Sequence, residues 1–157
     1  MIRRALLAAA LVLLAQRAEA QTTTGLRFCS VTATSLNFGT FSGSRVDAGG
    51  TVSVTCNGNG NNNIAAISLS EGNSHSFLDR YMFEGGGNEL HYNLYVDGAY
   101  STIWGNGVGE TQLKFQQFDF RQVGDVTQSA TIFGRIPIQA VPAAGAYADT
   151  IIVIVTF

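Results

Sequence analysis

The sequence predicts an all-β fold, a sandwich or barrel of short strands, on three observations. After position 20, Gly, Asn, Asp or Ser interrupt the chain about every eight to twelve residues, with β-branched and aromatic runs between them. Several runs alternate between apolar and polar residues, as half-buried strands do. No window repeats apolar residues at helical spacing over three turns. This combination is typical of sandwiches and barrels.

The first twenty residues predict a secretory signal peptide. Arg3 and Arg4 give a positive start, and Ala5–Ala15 form an apolar run too short to span a bilayer. Ala18-Glu19-Ala20 supplies small residues at the spacing that signal peptidase needs. The alternative interpretation of these twenty residues is a buried core helix. We therefore expect an exported protein, not an integral membrane protein, whose residues 21–157 form one domain.

Loss of the signal leaves a chain with few charged residues and a small net negative charge. Of nine Lys and Arg and eleven Asp and Glu, six and ten remain, a net charge of −4. Charged residues are 13% of the chain, against about 25% in ordinary globular proteins. No basic stripe is present, so we expect no nucleic-acid partner. A surface of Asn, Gln, Ser, Thr and Gly suits a protein that packs against copies of itself.

Two cysteines remain after the signal, Cys29 and Cys56. In an oxidising compartment an even pair predicts one disulfide. It should stabilise the fold by roughly 3–4 kcal/mol. A redox or metal site would need a close pair of cysteines or convergent histidines, and neither is present.

Eight segments are the candidate strands. They are Leu26–Val31, Leu36–Phe41, Thr51–Cys56, Ile64–Ser70, Leu90–Val96, Gln112–Phe120, Ala130–Pro137 and Asp149–Phe157. In Gln112–Phe120 the apolar residues change parity after Phe115, which predicts a bulge or bend. Asn57–Asn63 reads as a mobile hairpin tip, with sugar binding as the alternative. Gly85–Gly87 reads as a loop between strands and not as a phosphate site.

Catalytic and metal-binding patterns are not found. Gly72–Ser76 begins like a nucleophile elbow but lacks its last glycine and a following helix. His75 and His91 are too few for a zinc site without carboxylates, and we place His91 on the surface. No pair of carboxylates is singled out for acid–base work. We therefore predict no enzyme, catalytic residue, metal or cofactor.

Six motifs in order resemble one family, the spore coat protein U domain, which also supplies subunits of archaic (Csu-type) chaperone–usher pili. They are Cys29 with Leu36–Phe41, Gly50–Cys56, Arg80–Met82, Leu90–Asp97 with Trp104–Gly107, Phe133–Pro137, and Gly145–Thr150 before the last strand. Among them we expect structural roles for Phe38, Gly39, Tyr92, Asn93, Tyr95, Trp104, Gly105, Gly134, Arg135, Pro137, Tyr147 and Asp149.

The resemblance implies an immunoglobulin-like Greek-key sandwich that lacks one strand. A missing strand leaves an apolar groove and unpaired backbone groups. In related pili a periplasmic chaperone fills this groove, and an outer-membrane usher exchanges it for the N-terminal segment of the next subunit, which is β-strand addition. The implied partners are thus a chaperone, an usher and other pilus subunits. The implied route leads through the periplasm to the cell surface, a pilus or an extracellular coat.

The same resemblance suggests roles for particular residues. The C-terminal strand would border the groove and pair with the chaperone, through Ile151, Ile152, Val153, Ile154, Val155, Thr156 and Phe157. Tyr92, Trp104 and Phe133 would lie in the core.

The possible donor strand departs from the family pattern. It would use Thr22, Thr24, Leu26 and Phe28, of which only the last two are strongly apolar. A minor or terminal subunit would explain this departure, as would a spore or cell coat protein of the same fold that does not polymerise. A secreted carbohydrate-binding sandwich or small hydrolase is the third alternative.

Overall fold

The structure, a computed structural model, describes residues 26–120 and 124–157. The predicted signal peptide, Thr22 and Thr24 lie outside these residues. The strands are β1 Leu26–Ala33, β2 Val46–Gly58, β3 Gly60–Leu69, β4 Arg80–Phe83, β5 Glu89–Tyr95, β6 Ile103–Trp104, β7 Thr111–Gln112, β8 Lys114–Phe120, β9 Val126–Ile136 and β10 Val153–Thr156. Within the described ranges, the only helical element is the 3-10 turn Gly72–Ser74.

In the described part of the chain ten strands form two sheets, which confirms the all-β sandwich. The large sheet has the order β1-β2-β9-β5-β6-β7, with β4 paired to β5. The small sheet has the order β10-β3-β8. All pairings are antiparallel except that of β6 with β7. Alternate residues of the strands point between the sheets and form one apolar core.

The predicted strand Leu36–Phe41 is wrong. The segment has no strand pairing, although Leu36, Phe38 and Phe41 are buried. Gly39 has φ +70°, and its N–H donates to Asn37 Oδ1 over 2.8 Å. This Asx turn breaks the extended run. The segment instead crosses the core as an irregular chain, and the ring of Phe38 packs edge-on against Tyr92.

Two details of neighbouring segments also differ from expectation. Asn57–Asn63 is not a hairpin tip, because β2 pairs with β1 and β9 whereas β3 pairs with β8 and β10. The segment is the crossover between sheets. The bulge expected within Gln112–Phe120 is also wrong. β8 alternates regularly, Phe118 and Phe120 point inward, and Phe115 is left 61% exposed.

Phe133 is not a core residue. In β9 the even-numbered positions Ala130 to Ile136 point inward, so Phe133 lies on the outer face of the large sheet. There it is half-buried against Tyr100, with ring centroids 6.2 Å apart. Tyr92 and Trp104 are core residues, as expected.

Candidate functional site

Each sheet has a terminal strand with one edge that no other described strand pairs with. β1 is the terminal strand of the large sheet and pairs with β2. β10 is the terminal strand of the small sheet and pairs with β3. Among the described residues, no strand pairs with the outer edge of either. We call these two edges the open edges.

Burial changes abruptly at the open edges. Val31 and Ala33 of β1 face the core opposite Val54 and Val52, which are fully buried, yet both are only partly buried. In β10, Val155 is partly buried opposite the fully buried Ile67. Inner strands are covered on both flanks, whereas the terminal strands are covered on one. Apolar core surface is therefore exposed at both open edges.

Backbone groups at the open edge of β10 can be assigned from the ladder. The N–H of Ser70 donates to the carbonyl of Ile152 over 2.9 Å, so Ile152 points its backbone toward β3. In an antiparallel pair this orientation alternates along the strand. The backbone N–H and C=O groups of Val153 and Val155 therefore point away from β3, to the open edge.

The same alternation applies to β1. The N–H of Thr34 donates to the carbonyl of Thr51 over 2.9 Å, which directs the backbone of Thr34 toward β2. Cys29 lies opposite Cys56 at a Cα–Cα distance of 4.1 Å, short as in a pair without mutual backbone hydrogen bonds. Val31 and Ala33 have the same parity as Cys29, so their N–H and C=O groups point to the open edge.

The opposite flank of the sandwich is closed. There β8 approaches β9, and Gln116 Nε2 donates to the carbonyl of Ser129 over 3.1 Å. The side chain thereby connects the small sheet to the large one. The sandwich is thus joined on the β8 flank and open on the β10 flank.

The predicted disulfide between Cys29 and Cys56 is present, with an S–S distance of 2.09 Å. Both cysteines are buried and face the core. The bond connects terminal strand β1 to β2, two positions from Val31. It therefore fixes the strand that forms one of the open edges.

The structure positions the C-terminal segment as follows. Val153–Thr156 form β10, and Ile151 and Val153 are buried in the core. Ile152 and Phe157 are half-buried, while Ile154 and Thr156 point outward. The donor candidates Leu26 and Phe28 belong to β1, where they lie opposite Gly58 and Asn57. The pairing role of the first segment and the donor role of the second stay predictions.

Two of the family-motif residues, Asn93 and Trp104, bond a buried arginine to which the sequence analysis assigned no role. Arg80 is fully buried, and its guanidinium donates to the carbonyls of Ser70 and Trp104, each over 2.8 Å, and to Asn93 Oδ1 over 2.6 Å. Ser70 follows β3 of the small sheet, whereas Trp104 belongs to the large sheet. Arg80 thus connects the two sheets. Burial lowers its pKa from the usual value. An arginine before an alternating strand carries no signal of such burial.

Asn93 and Trp104 complete this network. Asn93 Nδ2 donates to the carbonyl of Phe77, and Asn93 Oδ1 also accepts the N–H of Leu94. The indole N–H of Trp104 donates to the carbonyl of Ile67 over 2.9 Å. Each buried polar atom is satisfied, which is the condition for a stable polar core.

Tyr92 and Asp149 form a second buried contact. The Tyr92 hydroxyl donates to Asp149 Oδ2 over 2.6 Å, and Asp149 Oδ1 accepts the N–H groups of Asn73 and Thr150. Burial raises the pKa of Asp149, although these hydrogen bonds and the charge of Arg80 oppose the rise. Burial also raises the pKa of Tyr92 well above its usual value. The contact anchors the chain just before β10.

This raised pKa predicts a pH dependence. A folded-state pKa above 3.8 means that Asp149 contributes most stability below pH 3.8, and that this contribution is lost as pH rises through the folded pKa. The free energy of unfolding of the wild type minus that of Asp149→Asn should therefore fall with rising pH. Denaturant unfolding of both proteins from pH 3 upward measures this difference.

Asp47→Asn is the matched control with the opposite sign. Two hydrogen bonds from Arg135 lower the pKa of Asp47, so its contribution is present above pH 3.8 and lost as pH falls through the folded pKa. The free energy of unfolding of the wild type minus that of Asp47→Asn should therefore rise with pH. A difference for Asp149→Asn that also rises would show that the hydrogen bonds to Asp149 and the charge of Arg80 outweigh burial.

The remaining motif residues have packing roles or lie at the surface. Gly134 is buried under Leu36 and Phe38, and a Cβ there would lie 2.8 Å from the Leu36 side chain. Gly105 leaves similar room for Thr111. Tyr147 is buried and donates to the carbonyl of Ala143. Tyr95 and Arg135 are half-buried around Tyr100, and Pro137 is exposed.

The described residues offer no cluster of three or more His, Cys, Asp or Glu side chains that could hold a metal ion. His91 is half-buried, with Nδ1 2.7 Å from Asp79 Oδ1 and near Glu89. His75 is exposed in the turn after Gly72–Ser74. Across the same residues, no helix is long and apolar enough to cross a membrane.

Comparison with known proteins agrees with the fold and its motifs. A search of curated proteins found no match. The family model of the Spore Coat Protein U domain matches residues 15–154, which cover nearly the whole chain. The chain therefore belongs to the Spore Coat Protein U domain family.

Proposed function

We propose that the protein is a structural subunit of a surface pilus, assembled by donor-strand complementation through a chaperone–usher pathway. The observation that carries the proposal is the change in burial at the open edges, where Val31, Ala33 and Val155 are partly buried beside fully buried neighbours. Family membership supports it, because the family includes pilus subunits. The chaperone, the usher and neighbouring subunits are the proposed partners.

An added strand would pair with the unpaired backbone groups and also cover the exposed apolar core surface. Its backbone would pair with the outward N–H and C=O groups of Val153 and Val155, and alternate side chains would cover the exposed core surface. Each fully buried anchor of Val or Leu size contributes about 2 kcal/mol. Four or five such anchors contribute about 8–10 kcal/mol before ordering costs. A joint of this strength would persist for the lifetime of a fibre.

We further propose that the chain acts mainly as an acceptor. β1 uses Leu26 and Phe28 in its own ladder, and a strand cannot occupy two ladders at once. With cleavage after Ala20, Gln21–Gly25 precede β1, and none of these five residues is a large apolar residue. A weak donor fits a subunit at the end of a fibre. It also favours the second candidate, a coat protein of this fold that does not polymerise.

Strand exchange is tested on native cells that carry a small tag in the loop Gly85–Gly87. This loop is exposed and joins β4 to β5, so an insertion leaves both open edges intact. Asn57–Asn63 is unsuitable because it connects the sheets. Periplasmic and surface fractions are compared, unheated and boiled, on a denaturing gel, and co-purifying chains are identified by mass spectrometry.

We expect a ladder of bands in the unheated surface sample that collapses on boiling, and an immunoglobulin-like chaperone in the periplasmic sample. A single band without a chaperone would exclude strand exchange and leave the coat protein. A ladder without the tagged chain would also count against the proposal.

A further inference from the structure

Three strands of the large sheet present hydroxyl groups to the solvent. The outward residues of β1, β2 and β9 follow one another in adjacent rows, since the strands are paired in register. We call the set the hydroxyl face. It consists of Ser30, Thr32, Thr51, Ser53, Thr55, Thr127, Ser129 and Thr131.

The hydroxyl face is ordered by its own contacts. Ser53 lies opposite Ser129 and Thr55 opposite Thr127, and each pair of hydroxyls is 2.8 Å apart. Each hydroxyl can still accept a further hydrogen bond, and one proton in each pair stays free to donate. The face therefore presents donors and acceptors on rigid, paired strands.

No residue of the hydroxyl face is charged, and the carboxylates at its two ends, Asp125 and Asp47, are hydrogen-bonded. Asp125 accepts a hydrogen bond from Asn57 at one end. At the other end Asp47 accepts two hydrogen bonds from Arg135, over 2.6 and 2.9 Å. Charge complementarity therefore favours an uncharged partner.

Aromatic residues continue the face beyond Thr131. Phe133 follows two positions along β9, opposite Gly49, which has no side chain, and beside Tyr95. Tyr100 packs on both rings, and the Arg135 guanidinium lies 3.5 Å from the centroid of Tyr100. Tyr100 has φ +58°, a conformation that costs a bulky residue energy. Its backbone N–H donates to the carbonyl of Asp97, which holds it there.

We propose that the hydroxyl face and this aromatic cluster bind an uncharged polysaccharide. Sugar hydroxyls match the hydroxyls of Ser and Thr as donors and acceptors, and aromatic rings stack on the apolar faces of sugar rings. From Thr127 to Phe133 the face extends about 20 Å at 3.4 Å per residue, the length of several sugars. The polar composition alone suggested packing against copies of the same chain, but protein interfaces are depleted in Ser, so a second copy fits this particular face less well. The proposal depends on this face alone and not on the fibre role.

Binding is measured with the full, disulfide-bonded chain by depletion onto solid cellulose, chitin and immobilised mannan as uncharged probes. Immobilised heparin is the charged comparison. The test variant is the double substitution Ser129→Lys with Thr131→Lys, at two exposed positions of β9. The matched control is Thr40→Lys with Ser42→Lys, equally exposed and outside the strands. Thermal unfolding of all three proteins verifies that they fold.

The wild type and the control should be retained on at least one uncharged probe and not on heparin. The Ser129→Lys, Thr131→Lys variant should bind that probe at least about tenfold more weakly, since several hydrogen bonds are lost. Three outcomes would overturn the proposal. The first is no retention of the wild type on any uncharged probe, and the second is equal retention of both variants. The third is a Ser129→Lys, Thr131→Lys variant whose self-association changes while its retention on the probe does not.

Discussion

Replacing Arg80 by methionine is expected to lower the free energy of unfolding by about 3–5 kcal/mol. Methionine approximates the length of arginine but donates no hydrogen bond, so the carbonyls of Ser70 and Trp104 and Asn93 Oδ1 would stay buried without a partner. A domain of this size has only about 5–15 kcal/mol in total. Denaturant unfolding of the oxidised chain measures the loss.

Arg45→Met is the control for this change. Arg45 has an exposed side chain whose Nε lies 3.7 Å from Asp47 Oδ2, a contact worth about 0–1 kcal/mol. Should Arg80→Met fail to accumulate, Arg80→Lys keeps the charge with fewer donors and should lose an intermediate amount. A loss below about 1 kcal/mol for Arg80→Met would show that water or local rearrangement satisfies these acceptors.

Replacing Val155 by proline is expected to reduce incorporation into fibres at least about tenfold, equivalent to one or more hydrogen bonds. The N–H of Val155 points to the open edge, so proline removes a donor for the incoming strand while the ladder with β3 keeps its bonds. Incorporation is measured as the share of tagged chain in the heat-sensitive ladder.

Val155→Ala is the matched variant, because it shortens the same side chain but keeps the N–H. It should incorporate far better than Val155→Pro. Thermal unfolding of the free subunit should change little in either variant. Equal incorporation of both would mean that side-chain packing alone, without backbone pairing, holds the incoming strand.

Periodicity predicted the longer paired strands but missed the short strands β4, β6 and β7, and it predicted the irregular segments poorly. Apolar and polar residues alternate in Thr51–Cys56 because β2 has a core face and an outer face. This alternation can be read from neighbouring residues in the sequence. Leu36–Phe41 alternates too, but a turn at Gly39 replaces its pairing while burial is kept. Burial and strand pairing are separate properties, and alternation reports only the first.

Outward-facing aromatics were misjudged for a related reason. Phe133 and Phe115 are apolar enough to suggest core positions, yet their strand neighbours Ile132 and Phe118 occupy the core instead. The parity of a whole strand decides its faces, and one large residue does not. Hydrophobicity of a single residue therefore predicted its side of the sheet poorly.

The candidate site was half predictable. The apolar C-terminal run predicted a strand, and the family resemblance implied that this strand borders the groove. The alternation of Cys29, Val31 and Ala33 held the signal for the other edge. Arg80 could not be found, because its burial depends on acceptors 10, 13 and 24 positions away in sequence. Such contacts arise from tertiary structure and leave no local pattern.

The disulfide has a consequence for the order of events during export. β1 is held laterally by β2 alone, and terminal strands are the first parts of a sheet to fray. The Cys29–Cys56 bond prevents fraying at the position where the ladder meets the open edge. In the proposed assembly, oxidation would therefore precede strand exchange, because only a disulfide-bonded subunit would present a template rigid enough to receive a partner.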